Sequence, residues 1–147
     1  MIQRLSHTTI YVLDQERAKR FYTEKLGFEL VMDAQVGPTR WLTVRPKGQP
    51  DLQLVLMDVR SCEAMMDPES ARMLRQLVEK GALGAAVFQT ADIQKTYEEL
   101  KAKGVPFRQP PTERPYGIEA IMGDDSGNWF SLTQRAEQFD ESVPWSG

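Results

Sequence analysis

Hydrophobic and polar positions alternate along the first part of the chain in a strand pattern and then in a helix pattern. Residues 5–13, LSHTTIYVL, are rich in β-branched side chains and predict a strand. Between Asp14, which suits a helix N-cap, and Gly27, which suits a helix end, apolar residues recur at helical spacing. Three further strands are predicted after this helix, at 28–34, 39–45 and 52–59.

The same order of elements recurs in the second half of the chain. Sliding the sequence by 78 positions brings Asp14 onto Asp92, and a one-residue deletion within the helix then brings Gly27 onto Gly104. Strands are predicted for GALGAAVFQT, VPFRQP, GIEAIM and NWFSLTQ, with an irregular proline-rich loop over 108–117 in which Arg108 and Arg114 are mostly solvated.

A third helix is predicted between the two repeats. Asp67 is a capping residue and Pro68 suits the first helical position, so a linker helix is expected over 67–80. We therefore expect one α+β domain over 1–147. It consists of two tandem βαβββ modules, at 4–59 and 82–135, whose curled mixed sheets surround a concave cleft, with the linker helix between them.

Strand alternation assigns side chains to the sheet faces away from the helices. That face combines aromatic groups, which supply stacking area, with hydrogen-bonding groups, and this combination suits a flat, moderately polar ligand. The expected ligand-binding residues are His7, Thr9, Tyr11, Trp41, Gln53, Met57, Trp129 and Ser131. Glu119 is the candidate catalytic base, although alternation in its short strand leaves its face open.

Composition narrows the candidate chemistry. Lys and Arg total 18 and Asp and Glu total 21, so a net charge of -3 disfavours nucleic acid as a partner. No apolar run approaches the ~18 residues of a membrane span. One His and one Cys exclude zinc fingers and disulfides within the chain, and with no signal peptide pattern at the N-terminus they indicate a cytoplasmic protein.

Two segments carry a family resemblance. HTTIYVLDQERAKRFYTEKLGFEL resembles the opening of vicinal oxygen chelate proteins, which include glyoxalase I, bleomycin-resistance proteins, fosfomycin-resistance enzymes and extradiol dioxygenases. ADIQKTYEELKAKGV, followed by a PYG turn and a DDSGN hairpin, is similar to their second module. The resemblance covers about residues 4–135, and it implies a homodimer.

In metal-dependent members the resemblance implies four inward ligands, two in each module. Carried over by position, these are His7, Gln53, Ala85 and Ser131. His7 and Gln53 can ligate a metal, whereas Ala85 cannot and a Ser hydroxyl is a weak ligand. The metal site is therefore incomplete unless a residue such as Glu119 replaces the missing ligands.

Three functions remain open. The leading hypothesis is a protein that binds a small planar organic molecule in the cleft without a full metal site, and so without a cofactor. The alternative is a divalent-metal-dependent lyase, isomerase or dioxygenase that uses His7, Gln53 and Glu119. A non-catalytic dimeric regulatory domain is the third hypothesis.

Overall fold

The computed structural model describes residues 1–145, so the last two residues of the predicted 1–147 domain lie outside the described residues. The chain divides into two compact units. The first comprises Met1–Leu83 together with Asp125–Asn128, and the second comprises Gly84–Asp124 together with the chain from Trp129 onward.

The first unit is a four-stranded sheet with helices. Strand β1 (His7–Val12) leads into helix α1 (Gln15–Arg20), which continues as a π-helical turn (Phe21–Lys25). Strands β2 (Glu29–Val36), β3 (Thr39–Arg45) and β4 (Gln53–Asp58) follow, then a 3-10 helix (Val59–Ala64) and helix α2 (Pro68–Glu79). The strand order is β1-β4-β3-β2, with β1 and β4 parallel and the other pairs antiparallel.

The second unit repeats this arrangement. Strand β5 (Gly84–Gln89) precedes helix α3 (Ile93–Ala102), and strands β6 (Phe107–Arg114), β7 (Gly117–Gly123) and β8 (Trp129–Arg135) complete a sheet of order β5-β8-β7-β6. The α+β class and the tandem modules are thus confirmed. None of the helices within residues 1–145 is long and apolar enough to cross a membrane.

The helix ends form where the sequence places capping residues. The Asp14 carboxylate accepts a hydrogen bond from the Arg17 amide at 3.0 Å, and Asp92 accepts one from Lys95 at the same distance. Gly27 and Gly104 follow the two helices with φ of +72° and +85°, a region that favours glycine.

The one-residue difference between the repeats has a structural counterpart. From Asp14 to Gly27 the first module has one residue more than the second has from Asp92 to Gly104. The first helix finishes in the π-helical turn Phe21–Lys25, whereas α3 is α-helical throughout. A π-helical turn accommodates one additional residue without changing where a helix begins and ends.

The helix-packed faces of both sheets form the cores. Three central strands each contain a run of residues buried on both faces, from Leu42 to Val44 in β3, from Leu54 to Asp58 in β4 and from Phe130 to Thr133 in β8. On the helix-packed faces the buried side chains include, as the alternation predicted, Ile10, Val12, Leu42, Val44, Leu54 and Leu56 in the first unit, and in the second unit Ile93, Ala120, Met122, Phe130 and Leu132. The alternation had left the face of β7 open, and the burial of Ala120 and Met122 resolves it.

One element differs from the sequence prediction. The proline-rich stretch 108–117 was expected to be an irregular loop, but most of it belongs to β6, which extends to Arg114. β6 is an edge strand, and its pairing with β7 shifts register between Gln109 and Thr112, so the two prolines do not interrupt a ladder. The expectation that Arg114 is solvated is also wrong, because it is only 6% exposed.

Candidate functional site

The predicted residues of the first module share one face of its sheet. His7 pairs with Gln53, and Tyr11 pairs with Met57, across the parallel β1–β4 ladder. Because side chains two residues apart share a face, Thr9 lies between His7 and Tyr11 on this face. On β3 the neighbouring residues Leu42 and Val44 are in the core, so Trp41 also lies on the face away from α1.

The N-terminal end of this face is polar. The Gln53 side-chain oxygen accepts a hydrogen bond from Thr43 Oγ1 at 2.8 Å, which orients the amide and directs its NH2 group away from Thr43. His7 is exposed, and its Nδ1 lies 3.0 Å from Ser6 Oγ. The His7 and Trp41 ring centroids are 6.2 Å apart with tilted planes.

The other end of this face is apolar and covered. Met57 is only 7% exposed and belongs to a cluster with Val55, Cys62 and Ala71, against which Tyr11 and Trp41 pack. Burial raises the pKa of the Cys62 thiol. The structure thus places Met57 in the packing beneath the 3-10 helix and α2, and its contact with a ligand stays a prediction.

The turn at residues 125–128 fixes the end of β1. Ser126 Oγ accepts from the Leu13 amide at 2.9 Å, and Asn128 donates from Nδ2 to the Tyr11 carbonyl oxygen at 2.7 Å. The DDSGN sequence predicted a tight hairpin here but not this anchoring role. Tyr11 is therefore held at the backbone by a polar residue more than a hundred positions away.

In the second unit the register resolves the face of Glu119. Glu119 pairs with Thr133 and Ile121 pairs with Ser131, so these four residues lie on one face, opposite the core residues Ala120 and Leu132. Ser131 Oγ donates a hydrogen bond of 2.5 Å to Glu119 Oε2. Two predicted site residues, the candidate base and the Ser, are thereby in direct contact.

Glu119 is surrounded by groups that sequence reasoning missed. The Arg114 Nε atom lies 3.6 Å from Glu119 Oε1, and Arg114 Nη2 donates to Gln109 Oε1 at 3.1 Å. Burial, and next the hydrogen bond to Glu119, raise the pKa of the Tyr116 hydroxyl to about 12. Glu119 therefore sits in a network with a counter-charge and two hydroxyl donors.

An aromatic residue near the C-terminus lies against this network. The Arg114 guanidinium is 5.2 Å from the ring centroid of Trp145, within cation–π range, and the Tyr116 and Trp145 rings are 5.8 Å apart. The Asp140 amide donates to the Pro115 carbonyl at 2.8 Å and folds this segment back. The sequence signals for this contact were the Pro-Tyr-Gly turn and a tail that is polar except for Phe139, Val143 and Trp145.

The indole of Trp129 lies over the backbone of Gly84, its partner in the β5–β8 ladder. A Cβ built on Gly84 would lie 2.4 Å from Trp129 Cζ2, which is inside van der Waals contact. Any larger residue at this position would displace the ring. The absence of a side chain at Gly84 therefore allows the Trp129 ring to lie where it does.

Most of the chain matches one known protein family. Residues 4–132 match the model of the Glyoxalase/Bleomycin resistance protein/Dioxygenase superfamily. The chain belongs to this superfamily.

Three similar proteins match nearly the whole chain. An uncharacterised protein of Bacillus subtilis (strain 168), YurT, is 38% identical over 129 residues, which is 87% of this chain and 96% of YurT. The crystal structure of UcmS2 is 50% identical, with a TM-score of 0.84, and the match covers 90% of this chain and 98% of UcmS2. TnmS3, an antibiotic binding protein from Streptomyces sp. CB03234, is 32% identical, with a TM-score of 0.73, and the match covers 92% of this chain and 98% of TnmS3.

The metal positions implied for the glyoxalase superfamily can be tested against these residues. In the first unit His7 and Gln53 are register partners and both carry donor atoms. In the second unit Ala85 carries no donor and lies where the β5–β8 register shifts, while Ser131 pairs with Val87 rather than with Ala85. Two of the four positions therefore supply no strong ligand.

Glu119 does not restore a metal site of the superfamily type. The Arg114 guanidinium beside its carboxylate would repel a divalent cation placed there. Within residues 1–145, no group of three His, Cys, Asp or Glu side chains is placed to hold a metal, whereas a catalytic zinc site takes three protein ligands. These residues do not fit a catalytic divalent metal, and we derive no step through one.

A charged cavity in the first unit is separate from the predicted wall. It has a volume of about 290 Å³ at the start of α1 and along α2. Its charged lining residues are engaged with each other or with neighbours: Arg75 pairs with Glu79, Arg60 with Asp58 and Arg17 with Asp125. Each arginine that lines the cavity is thus paired with a carboxylate, and none of the predicted ligand-binding residues lines it.

Proposed function

We propose that this protein binds a small planar organic molecule on the sheet faces that point away from α1 and α3 in its two modules, without a full metal site. The observation that carries the proposal is the chemistry of those faces. Aromatic rings and hydrogen-bonding side chains stand together there, while two of the four positions that would hold a metal are Ala85 and Ser131.

Aromatic and polar groups are paired in each unit. In the first, Trp41 lies near His7, and the Gln53 amide keeps its NH2 group free of the Thr43 hydrogen bond. In the second, Trp129 lies on the strand that carries Ser131, two positions away on the same face. A flat ring gains stacking area on such residues, and its polar substituents find partners beside them.

The similarity to an antibiotic binding protein supports the same function. TnmS3 is 32% identical to this chain and is matched along nearly its whole length. The ligand class carried over is a small organic antibiotic or a molecule of that size.

Thermal unfolding of protein dialysed against EDTA tests the proposal. Doxorubicin, tetracycline and 1-hydroxypyrene serve as planar probes, with glucose as a non-planar control. We expect the melting temperature to rise with probe concentration, by mass action, for at least one planar probe and to stay constant with glucose. The substitutions Trp41→Ala and Trp129→Ala should each reduce the rise.

Two other results of this measurement would contradict the proposal. If none of the planar probes raises the melting temperature, while Zn²⁺, Ni²⁺, Mn²⁺ or Fe²⁺ does, the metal-dependent enzyme replaces this proposal. If neither class of additive has any effect, the regulatory domain replaces it.

A homodimer and a cytoplasmic location complete the proposal. β1 is an edge strand whose first residues, His7 to Thr9, are exposed, and Leu5 before it is also exposed. Exposed edges favour pairing with another chain. The one cysteine, Cys62, is a buried free thiol, which suits a reducing compartment. Light scattering after gel filtration should give twice the chain's mass, and the mass of one chain would contradict the dimer.

A further inference from the structure

On the face of the second sheet that points away from α3, the hydroxyl groups of Ser131 and Thr133, which are 5% and 2% exposed, donate their protons to groups within the unit. Ser131 Oγ donates to Glu119 Oε2, and Thr133 Oγ1 donates to the Phe88 carbonyl oxygen at 3.3 Å. The Tyr116 hydroxyl, in the turn before β7, is close enough to the Glu119 carboxylate for that carboxylate to raise its pKa. A carboxylate has no proton of its own, so the hydroxyl must be the donor in each bond to Glu119.

What this face leaves for a ligand is therefore acceptor capacity. A Ser oxygen has two lone pairs, and both stay available when its proton is committed elsewhere. The Glu119 carboxylate has about four lone-pair directions, more than its hydroxyl partners occupy. Ser131 and Glu119 together can accept hydrogen bonds from a ligand, but they cannot donate one.

The counter-charge for Glu119 comes from inside the unit. The Arg114 side chain is 5% exposed and that of Glu119 is 14% exposed, so the carboxylate is the more accessible partner. Arg114 is also engaged by Gln109 and by the Trp145 ring. The cation therefore supports the carboxylate from within the unit and leaves its accessible edge to a ligand.

Apolar groups flank the same site. Val87 is the register partner of Ser131 and is 65% exposed, and Trp129 lies two residues before Ser131 on β8. A planar molecule resting on Val87 and Trp129 would bring its edge to Ser131 and Glu119. The edge group that fits an acceptor pair is a hydrogen-bond donor.

We propose that Glu119 and Ser131 form an acceptor site that selects planar ligands carrying a hydroxyl or amino group, and rejects the same ring when that group is methylated. This inference rests on the proposed function and specifies its ligand class. A methyl ether placed against the site would leave a desolvated carboxylate without a new partner, which costs more than losing one hydrogen bond in water.

The test uses a matched pair of probes, 1-hydroxypyrene and 1-methoxypyrene, which share the ring and differ in the donor. Binding is followed by quenching of tryptophan fluorescence at neutral pH in the presence of EDTA. We expect the wild-type protein to bind 1-hydroxypyrene about tenfold more tightly than 1-methoxypyrene. This is the change in affinity expected when one hydrogen bond from a neutral donor to a buried acceptor is lost.

Two variants assign the preference to these residues. Glu119→Gln should bring the ratio of the two dissociation constants close to one, because an amide can turn its NH2 group toward a methoxy oxygen. Ser131→Ala should reduce the ratio while keeping the carboxylate. Affinity for 1-methoxypyrene should be unchanged or higher in both variants, which a merely structural defect would not produce. The matched control is Glu113→Gln, which makes the same change of charge at an exposed position of β6 and should keep the wild-type ratio.

Each outcome decides the proposal. A wild-type ratio near one, with both probes bound, overturns the acceptor site and leaves the planar-ligand function standing. A tenfold ratio that persists in both Glu119→Gln and Ser131→Ala also overturns it. If the wild-type protein binds neither probe, the acceptor site is overturned, and the function on which it rests stands only if doxorubicin or tetracycline raises the melting temperature.

Discussion

The Trp129 indole lies against the backbone of Gly84, with only 2.4 Å between Cζ2 and the place that a Cβ at position 84 would take. The ring occupies the space that a side chain on β5 would otherwise fill. Gly84 thus sets the position of a residue that we expect to form part of the ligand-binding wall.

Replacing this glycine tests the relationship. Gly84→Ala should displace the Trp129 ring, shift the tryptophan emission and weaken binding of 1-hydroxypyrene, at a cost in the free energy of unfolding of about 1–3 kcal/mol, as for an overpacked site. The control is Gly48→Ala, because a Cβ at Gly48 meets nothing within 4 Å. Unchanged emission and unchanged probe binding in Gly84→Ala would show that the ring does not depend on the glycine.

A second glycine tests the anchoring of the 125–128 turn. Gly127 has φ of +113°, and a Cβ there would lie 2.4 Å from the Val78 carbonyl oxygen. Gly127→Ala should lower the free energy of unfolding by roughly 1–3 kcal/mol, measured by urea denaturation, because strain in φ and a backbone clash add. Gly48→Ala again serves as the control, and equal stabilities of the two variants would contradict the anchoring role.

The pKa of Tyr116 makes a prediction at alkaline pH. The folded-state pKa is raised to about 12 from an ordinary value of 10.0, so the neutral phenol is favoured in the folded protein. Its contribution to stability is fully present below pH 10 and is lost as the pH rises through the folded-state value. The difference in unfolding free energy between wild type and Tyr116→Phe should therefore shrink between about pH 10 and 12. Parallel pH profiles would show that the hydroxyl does not titrate in this way.

An acidic residue in the first unit makes the corresponding prediction at low pH. Asp33 accepts from Arg40 at 2.8 and 2.9 Å and from Lys19 at 2.8 Å, and these bonds hold the pKa of its carboxyl well below the usual 3.8. The stability that they confer is present above about pH 4 and is lost as the pH falls toward the lowered value. Asp33→Asn should be less stable than wild type at pH 7, and the difference should diminish below pH 4.

An exposed carboxylate provides the control for that measurement. Asp51 lies in the turn before β4 and is exposed, so Asp51→Asn should leave the acid limb of the stability curve close to that of wild type. A constant difference between Asp33→Asn and wild type from pH 7 to pH 2 would contradict the ion-pair explanation.

The sequence predicted the elements of the fold well, because helix caps and burial periodicity are local. Asp14 and Asp92 both cap helices as expected, and the buried faces of β1 and β4 carry the predicted residues. The start of β6 was predicted from VPFRQP, but its continuation to Arg114 was not, because the prolines indicated a loop locally, while the position of β6 at a sheet edge, which tolerates them, depends on the whole sheet.

The candidate site was only partly predictable. Alternation placed His7, Gln53 and Ser131 on the open faces, but the face of Glu119 depended on pairing with β8. The burial of Arg114 against Glu119 and Trp145 depends on contacts between segments far apart in the chain. The direction of the hydrogen bond at Ser131, on which the inferred ligand preference depends, cannot be predicted from the pattern of hydrophobic and polar residues.

Binding of 1-hydroxypyrene to metal-depleted protein tests the central claim most directly. Protein is dialysed against EDTA, its residual metal is measured by inductively coupled plasma spectrometry, and the dissociation constant is determined before and after adding Zn²⁺, Ni²⁺, Mn²⁺ or Fe²⁺. A metal-independent site predicts less than stoichiometric metal after dialysis and the same dissociation constant throughout. A stoichiometric ion that survives dialysis, or binding that appears only after a divalent ion is added, would contradict it.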